Sequence, residues 1–127
     1  MTVAENVNLL SPSVLAFVGD AVYSLYVRTA LASVNRPSGE LHRLSVTMVN
    51  ASSQARAFGV IEQELCEEEL TVFKRGRNFH TSSTPKNASH RDYHVATGLE
   101  CLFGWLHLSG KKDRADELFK IIYRCTY

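Results

Sequence analysis

Residues 14–27 read VLAFVGDAVYSLYV, and a single charge, Asp20, stands among them. Just upstream, Ser11-Pro12 supplies an N-cap followed by proline at the first helical position. Apolar residues then fall at Val14, Leu15, Val18, Val22, Leu25 and Tyr26, which is helical spacing with a broad apolar face. The spacing predicts a helix over 13–31, ended by Asn35-Arg36-Pro37. On that helix the neighbours of Asp20 at three and four positions are Ala16, Phe17, Tyr23 and Ser24. A lone carboxylate on such a surface costs on the order of several kcal/mol unless an arginine, backbone donors or a metal ion compensates. Gly19 beside it lowers helix propensity by roughly 1 kcal/mol relative to alanine. A glycine there allows another helix to approach closely.

Residues 95–108, VATGLECLFGWLHL, repeat the pattern. Glu100 is the lone carboxylate, its helical neighbours are Ala96, Thr97, Phe103 and Gly104, and Gly98 lies close by. If the two helices cross near Asp20 and Glu100, the two carboxylates converge in a niche of small residues. Such a niche suits Mg²⁺, which takes one or two carboxylates and keeps several waters. The residues by themselves leave a second reading open, in which each acid lies on a narrow polar stripe or pairs with a core arginine.

Between and beyond these stretches the chain also reads as helical. Ser38 can cap a helix over 39–58, with Leu41, Leu44, Met48 and Val49 inward, a break near 46–49 and Gly59 at its end. A short helix is expected over 60–65. Another is expected over 67–75, with Glu67, Glu68 and Glu69 at its dipole-favoured N-terminus and Gly76 as its stop. Residues 79–87 read as an exposed loop. Ser89 can cap a long helix over 90–108 closed by Gly110, and a last helix covers 112–124. No internal repeat, low-complexity segment or strand alternation is evident. The expectation is an all-α helix bundle forming one domain over 1–127.

The 127 residues, 45% of them hydrophobic, suffice for a core without staples. No uninterrupted apolar run reaches the ~18 residues of a membrane span, and no leader-like segment opens the chain, so an intracellular address is expected. Cys66, Cys101 and Cys125 form no CxxC pair and are expected as reduced thiols rather than zinc ligands or disulfides. Net charge is only +1, but the window 74–91 holds five of the fourteen basic residues and no acid. The remaining nine face thirteen acids. This clustering of Lys74, Arg75, Arg77, Lys86 and Arg91 is what a phosphate-contacting segment shows, although a solvated loop would share it.

The stretch Leu15-Ala16-Phe17-Val18-Gly19-Asp20-Ala21-Val22 resembles the FLGDAV-type signature of the ribonuclease III family, here as FVGDAV. ATGLECLFG, residues 96–104, resembles that family's second catalytic helix. Arg75-Gly76-Arg77-Asn78 followed by Lys86-Asn87-Ala88 resembles its compact branch, Mini-ribonuclease III. Motif order, spacing and length agree over nearly the whole chain. Two positions depart from the standard family, which carries an acid where this chain has Ala16 and another where it has Thr97. Only Asp20 and Glu100 carry over, which leaves the metal count open. The double-stranded-RNA-binding domain of the larger family members is not expected after Tyr127.

The resemblance implies a single ribonuclease III-type helical domain with Mg²⁺-dependent endoribonuclease activity on double-stranded RNA. Asp20 and Glu100 would be both metal ligands and catalytic residues, and the products would carry 5′-phosphate and 3′-hydroxyl ends. It implies a homodimer whose interface includes the signature helix near Phe17 and Tyr23. It also implies a precursor large-subunit (23S) ribosomal RNA substrate in the cytoplasm, with a ribosomal protein presenting that substrate as a further candidate partner. Lys74, Arg75, Arg77, Asn78 and Lys86 are the expected RNA contacts; Asn78 would bond a sugar or hold the loop. No organic cofactor and no membrane are expected. The alternative is a non-catalytic RNA- or ribosome-binding module on the same fold. His90 and His94 lack an HExxH context and read as surface residues, Trp105 as core or interface, and Asp92, Asp116 and Glu117 as solvated acids.

Overall fold

The computed structural model describes residues 6–79 and 89–127, and among them the order is α1 (Pro12–Leu31), α2 (Ser38–Val49), α3 (Ala51–Ile61), α4 (Glu67–Arg77), α5 (His90–Leu108) and α6 (Lys112–Thr126). Short 3-10 turns sit at Val7–Leu9 and Glu62–Glu64, and no strand occurs among the described residues. The all-α expectation holds.

The caps explain most boundaries. Ser11 accepts from the Val14 N–H at 3.3 Å to start α1, with Pro12 at its first position. Ser89 accepts from the Asp92 N–H at 3.0 Å to start α5. Gly110, at φ +72°, turns the chain between α5 and α6 in the left-handed region open to glycine.

The break expected near 46–49 falls at Asn50, whose extended backbone (ψ 163°) and side chain accepting from Ser53 N–H at 2.9 Å restart the chain as α3. Two boundaries differ from expectation. Gly59 does not end a helix, because α3 continues to Ile61. Gly76 does not stop α4 either. It is buried inside that helix, and a Cβ there would meet the Cys101 sulfur at 2.6 Å and the Gly98 Cα at 2.9 Å. Its small size serves helix packing, not termination. The loop expected over 79–87 lies almost wholly outside the described residues.

α5 is the central post. It buries ten residues, from Val95 to Leu106, and α1, α3, α4 and α6 all pack on it. α1 lays one stripe, Leu15, Gly19, Tyr23, Val27 and Leu31, against the interior. Tyr23 is fully buried, its ring edge-on to Phe103 and Phe119, so it belongs to this chain's own core and not to an interface. The opposite face of α1 is uncovered: Phe17 is 82% exposed and Leu25 65%. By length and composition α1 is apolar enough to cross a membrane, but its interior stripe is committed to α5 and Asp20 interrupts it. Trp105 is core as well, its indole N–H donating to Asn8 Oδ1 at 2.8 Å.

Candidate active site

The crossing of α1 and α5 is set by glycine. A Cβ on Gly19 would lie 1.6 Å from the backbone oxygen of Glu100, and one on Gly104 would lie 2.0 Å from that of Leu15. Both are impossible for a real side chain, so the two backbones touch here only because neither residue has one. Gly19 beside Asp20, and Gly104 one helical turn after Glu100, were the signal for this contact. Gly98 plays a different part, since it faces Phe73 of α4 rather than α1.

The crossing brings Asp20 and Glu100 within hydrogen-bonding reach of each other. Asp20 is exposed, whereas Glu100 is half-buried. Burial above all, then the negative charge of Asp20 and the hydrogen bond between the two, push the Glu100 pKa up to about 8. The Gln54 side chain, from α3, pulls in the opposite direction. Among the described residues no arginine or lysine forms an ion pair with Glu100. The salt-bridged reading of Glu100 therefore fails. Two carboxylates pressed together without a counter-charge are an incomplete electrostatic arrangement, and their hard oxygen donors suit a divalent cation such as Mg²⁺. Among the described residues no third acid, histidine or cysteine joins them.

The reserve acids are engaged elsewhere. Asp92 lies in the first turn of α5 and pairs with Arg91 at 3.5 Å. Asp116 takes the Tyr26 hydroxyl and the Lys112 ammonium, and Glu117 takes Arg114. Cys66, Cys101 and Cys125 are free thiols.

The basic segment is described only in part. Lys74, Arg75, Arg77 and Asn78 come together in the last turn of α4 and its cap, where positive side chains also match the helix dipole. Gly76 seats that turn against Gly98 and Cys101, which bracket Glu100 on α5. Lys74 is exposed. Arg75 donates to the carbonyls of Asn8 and Leu10, at 3.4 and 3.1 Å, and so also ties down the N-terminal 3-10 turn. Arg77 lies over the Phe73 ring and donates to Asn78 Oδ1 at 3.1 Å. Lys86 lies outside the described residues. A groove of about 280 Å³ between α3, α4 and α5 is lined by Arg77, Arg91, His94 and the acid Glu62, so an arginine of α5 joins Arg77 there.

The residue that sequence reasoning missed is Gln54. It is 3% exposed, on the face of α3 that also carries Ala57, Phe58 and Ile61. Its signal was the one used for Asp20 and Glu100: a polar group at an apolar stripe position. Glutamine bears no charge, and Ser52 and Ser53 beside it make the stretch look like surface.

A ribonuclease III domain model matches residues 13–111. A Mini-ribonuclease 3 from Thermoanaerobacter is 44% identical over 118 residues, 92% of this chain and 83% of that protein. One from Brevibacillus brevis is 45% identical over 113 residues, 87% of this chain and 84% of that protein. A crystal structure of a Fusobacterium nucleatum protein superposes with a TM-score of 0.87 at 26% identity, covering 98% of this chain and all of the other.

Proposed function

This chain belongs to the ribonuclease III family of endoribonucleases, among relatives named Mini-ribonuclease 3, and we propose that it cuts double-stranded RNA in a Mg²⁺-dependent reaction centred on Asp20 and Glu100. The observation that carries the reading is the convergence of these two carboxylates, from α1 and α5, with no cationic side chain paired to Glu100 among the described residues.

Held by Asp20 and Glu100, Mg²⁺ would supply Lewis acidity at the phosphate and make a bound water more acidic than bulk water. Glu100 gives up its proton when the site is loaded, so loading is favoured by rising pH. The reaction is hydrolysis: a water oxygen bonds to phosphorus, the bond from phosphorus to the 3′ oxygen breaks, and that oxygen leaves with a proton. The ends are 5′-phosphate and 3′-hydroxyl.

Lys74, Arg75, Arg77 and Lys86 would neutralise backbone phosphates, with Asn78 on a sugar or holding the loop. A-form RNA is read through its phosphates and 2′-hydroxyls more than through its base edges. Binding by one small domain should therefore weaken steeply with salt. A two-fold dimer would present one site to each strand, and the uncovered α1 face, with Val14, Phe17 and Leu25 exposed, supports that assembly. The substrate class in this reading is paired precursor 23S ribosomal RNA in the cytoplasm, with a ribosomal protein presenting it.

The test is a labelled RNA duplex at low salt, with and without Mg²⁺, beside Asp20→Asn. Mg²⁺-dependent cuts in both strands that vanish in the variant are expected. Salt-sensitive binding without cutting, on a simple duplex and on folded precursor ribosomal RNA alike, would identify a non-catalytic RNA-binding module.

A further inference from the structure

Glu100 lies between two partners, Asp20 from α1 and Gln54 from α3, and the second has an unusual environment. Gln54 is 3% exposed, and its Nε2 is shut off from solvent without a hydrogen bond of good geometry. A buried amide donor left in that state destabilises the fold, and an apolar side chain of the same size would be more favourable there. Other buried polar groups on α3 and α4 are satisfied, although the Tyr23 hydroxyl on α1 shares the state of Gln54. Ser53, the next residue, donates its hydroxyl to the Thr47 carbonyl, and its own backbone N–H goes to Asn50. Glu69 is fully bonded to Arg114 and Cys66. The cost at Gln54 therefore falls on the one glutamine beside the candidate site.

We propose that Gln54 is a positioning residue for Glu100. Once Glu100 is ionised by a bound cation, the Gln54 Nε2–H would donate to one carboxylate oxygen, fixing the side chain so that the other oxygen, together with Asp20, is available to that cation. The amide would do without charge part of the orienting that extra acids would otherwise do, at a site where Ala16 and Thr97 offer no carboxylate. Outer groups that orient a ligand commonly alter metal affinity by about 10–100-fold when removed. This role rests on the reading of Asp20 and Glu100 as metal ligands.

The experiment titrates Mn²⁺ into metal-free, RNA-free protein and follows free Mn²⁺ by electron paramagnetic resonance. It uses wild type, Asp20→Asn, Gln54→Met and, as a control on the same helix, Ser53→Ala. Gln54→Met keeps the volume and removes the donor. It is expected to weaken Mn²⁺ binding by about tenfold or more. Its metal-free melting midpoint should hold or rise by about 3 °C. Ser53→Ala should bind Mn²⁺ like wild type even if it melts lower, which separates positioning from damage to α3. Mn²⁺ affinity of Gln54→Met within twofold of wild type would overturn the role of Gln54 while leaving the metal site intact. Wild type binding no better than Asp20→Asn would overturn the metal site and the Gln54 role together.

Discussion

Two glutamates in this molecule are removed from bulk water in opposite ways. Glu69, at the start of α4, is 4% exposed, and every bond it makes is a good one. Arg114 of α6 donates to it from Nε and Nη2 at 2.7 and 3.0 Å, and the Cys66 N–H donates at 2.9 Å. Burial would raise its pKa, but these donors, Arg114 foremost, outweigh burial and hold it below the usual carboxylate value. Glu100 has no such cation among the described residues. Burial and Asp20 both raise its pKa, and Gln54 only partly opposes them. The first glutamate closes a structural contact between α4 and α6. The second is held in a state that a bound cation would complete. Perturbed, unpaired acids of this kind mark functional sites more often than structural ones.

The strongest way to break the contrast is at the glycine that creates it. Gly19→Ala puts a methyl into the Glu100 backbone, and a shift of α1 against α5 is expected to remove more than about 4 kcal/mol of stability. Gly59→Ala is the control, with open space around it and an expected gain of up to about 1 kcal/mol. Thermal or urea unfolding checks both.

Next comes the chemistry. Asp20→Asn or Glu100→Gln should lower the rate of duplex cleavage by about a thousandfold, roughly 4 kcal/mol of barrier. Either should leave stability unchanged or improved, because each removes an acid whose ionised form is unfavourable beside the other. A large stability loss in both would recast the pair as structural.

Glu69→Ala should do the reverse. It removes the buried partner of the Arg114 guanidinium, whose side chain is 27% exposed and keeps Glu117 and the Glu64 carbonyl. It should cost about 2–3 kcal/mol, somewhat less than for a fully buried pair. Cleavage per folded molecule should stay at the wild-type rate.

The smallest effect is in pH. The folded pKa of Glu100 is raised, so its stabilising proton is fully present below the unfolded value near 4.5 and is lost as pH rises toward about 8. Metal-free melting should therefore decline across that window more steeply in wild type than in Glu100→Gln. Glu69, with a lowered pKa, contributes with the opposite sign: its share is lost as pH falls through its folded pKa.

Much of this was readable from residues. α1 and α5 show long apolar stretches, clean serine caps and one acid within each stretch, so their extents followed from local rules, while the glycine-mediated crossing at Asp20 and Glu100 was one of two readings the residues left open. Gly59 and Gly76 misled because glycine signals a helix end only when nothing else needs its small size, and at Gly76 the need comes from Cys101 and Gly98, distant in sequence. The break near 46–49 was legible from its β-branched residues, but Asn50 as the cap was not, because that role depends on a side-chain hydrogen bond and not on a glycine or proline. Gln54 escaped because an uncharged side chain among serines carries no sign of burial. The α1 face divides Phe17 from Tyr23, and periodicity does not tell which side of a fully apolar helix meets the core.

The most direct test of the contrast is a carbon-13 NMR titration of the side-chain carboxyls of Glu69 and Glu100, in one sample, with and without Mg²⁺. The expected result is Glu69 ionised well below neutrality in both conditions. Glu100 should titrate near 8 without the ion and stay ionised at neutral pH with it. Glu100 titrating in the ordinary glutamate range, or unmoved by Mg²⁺, would contradict the account.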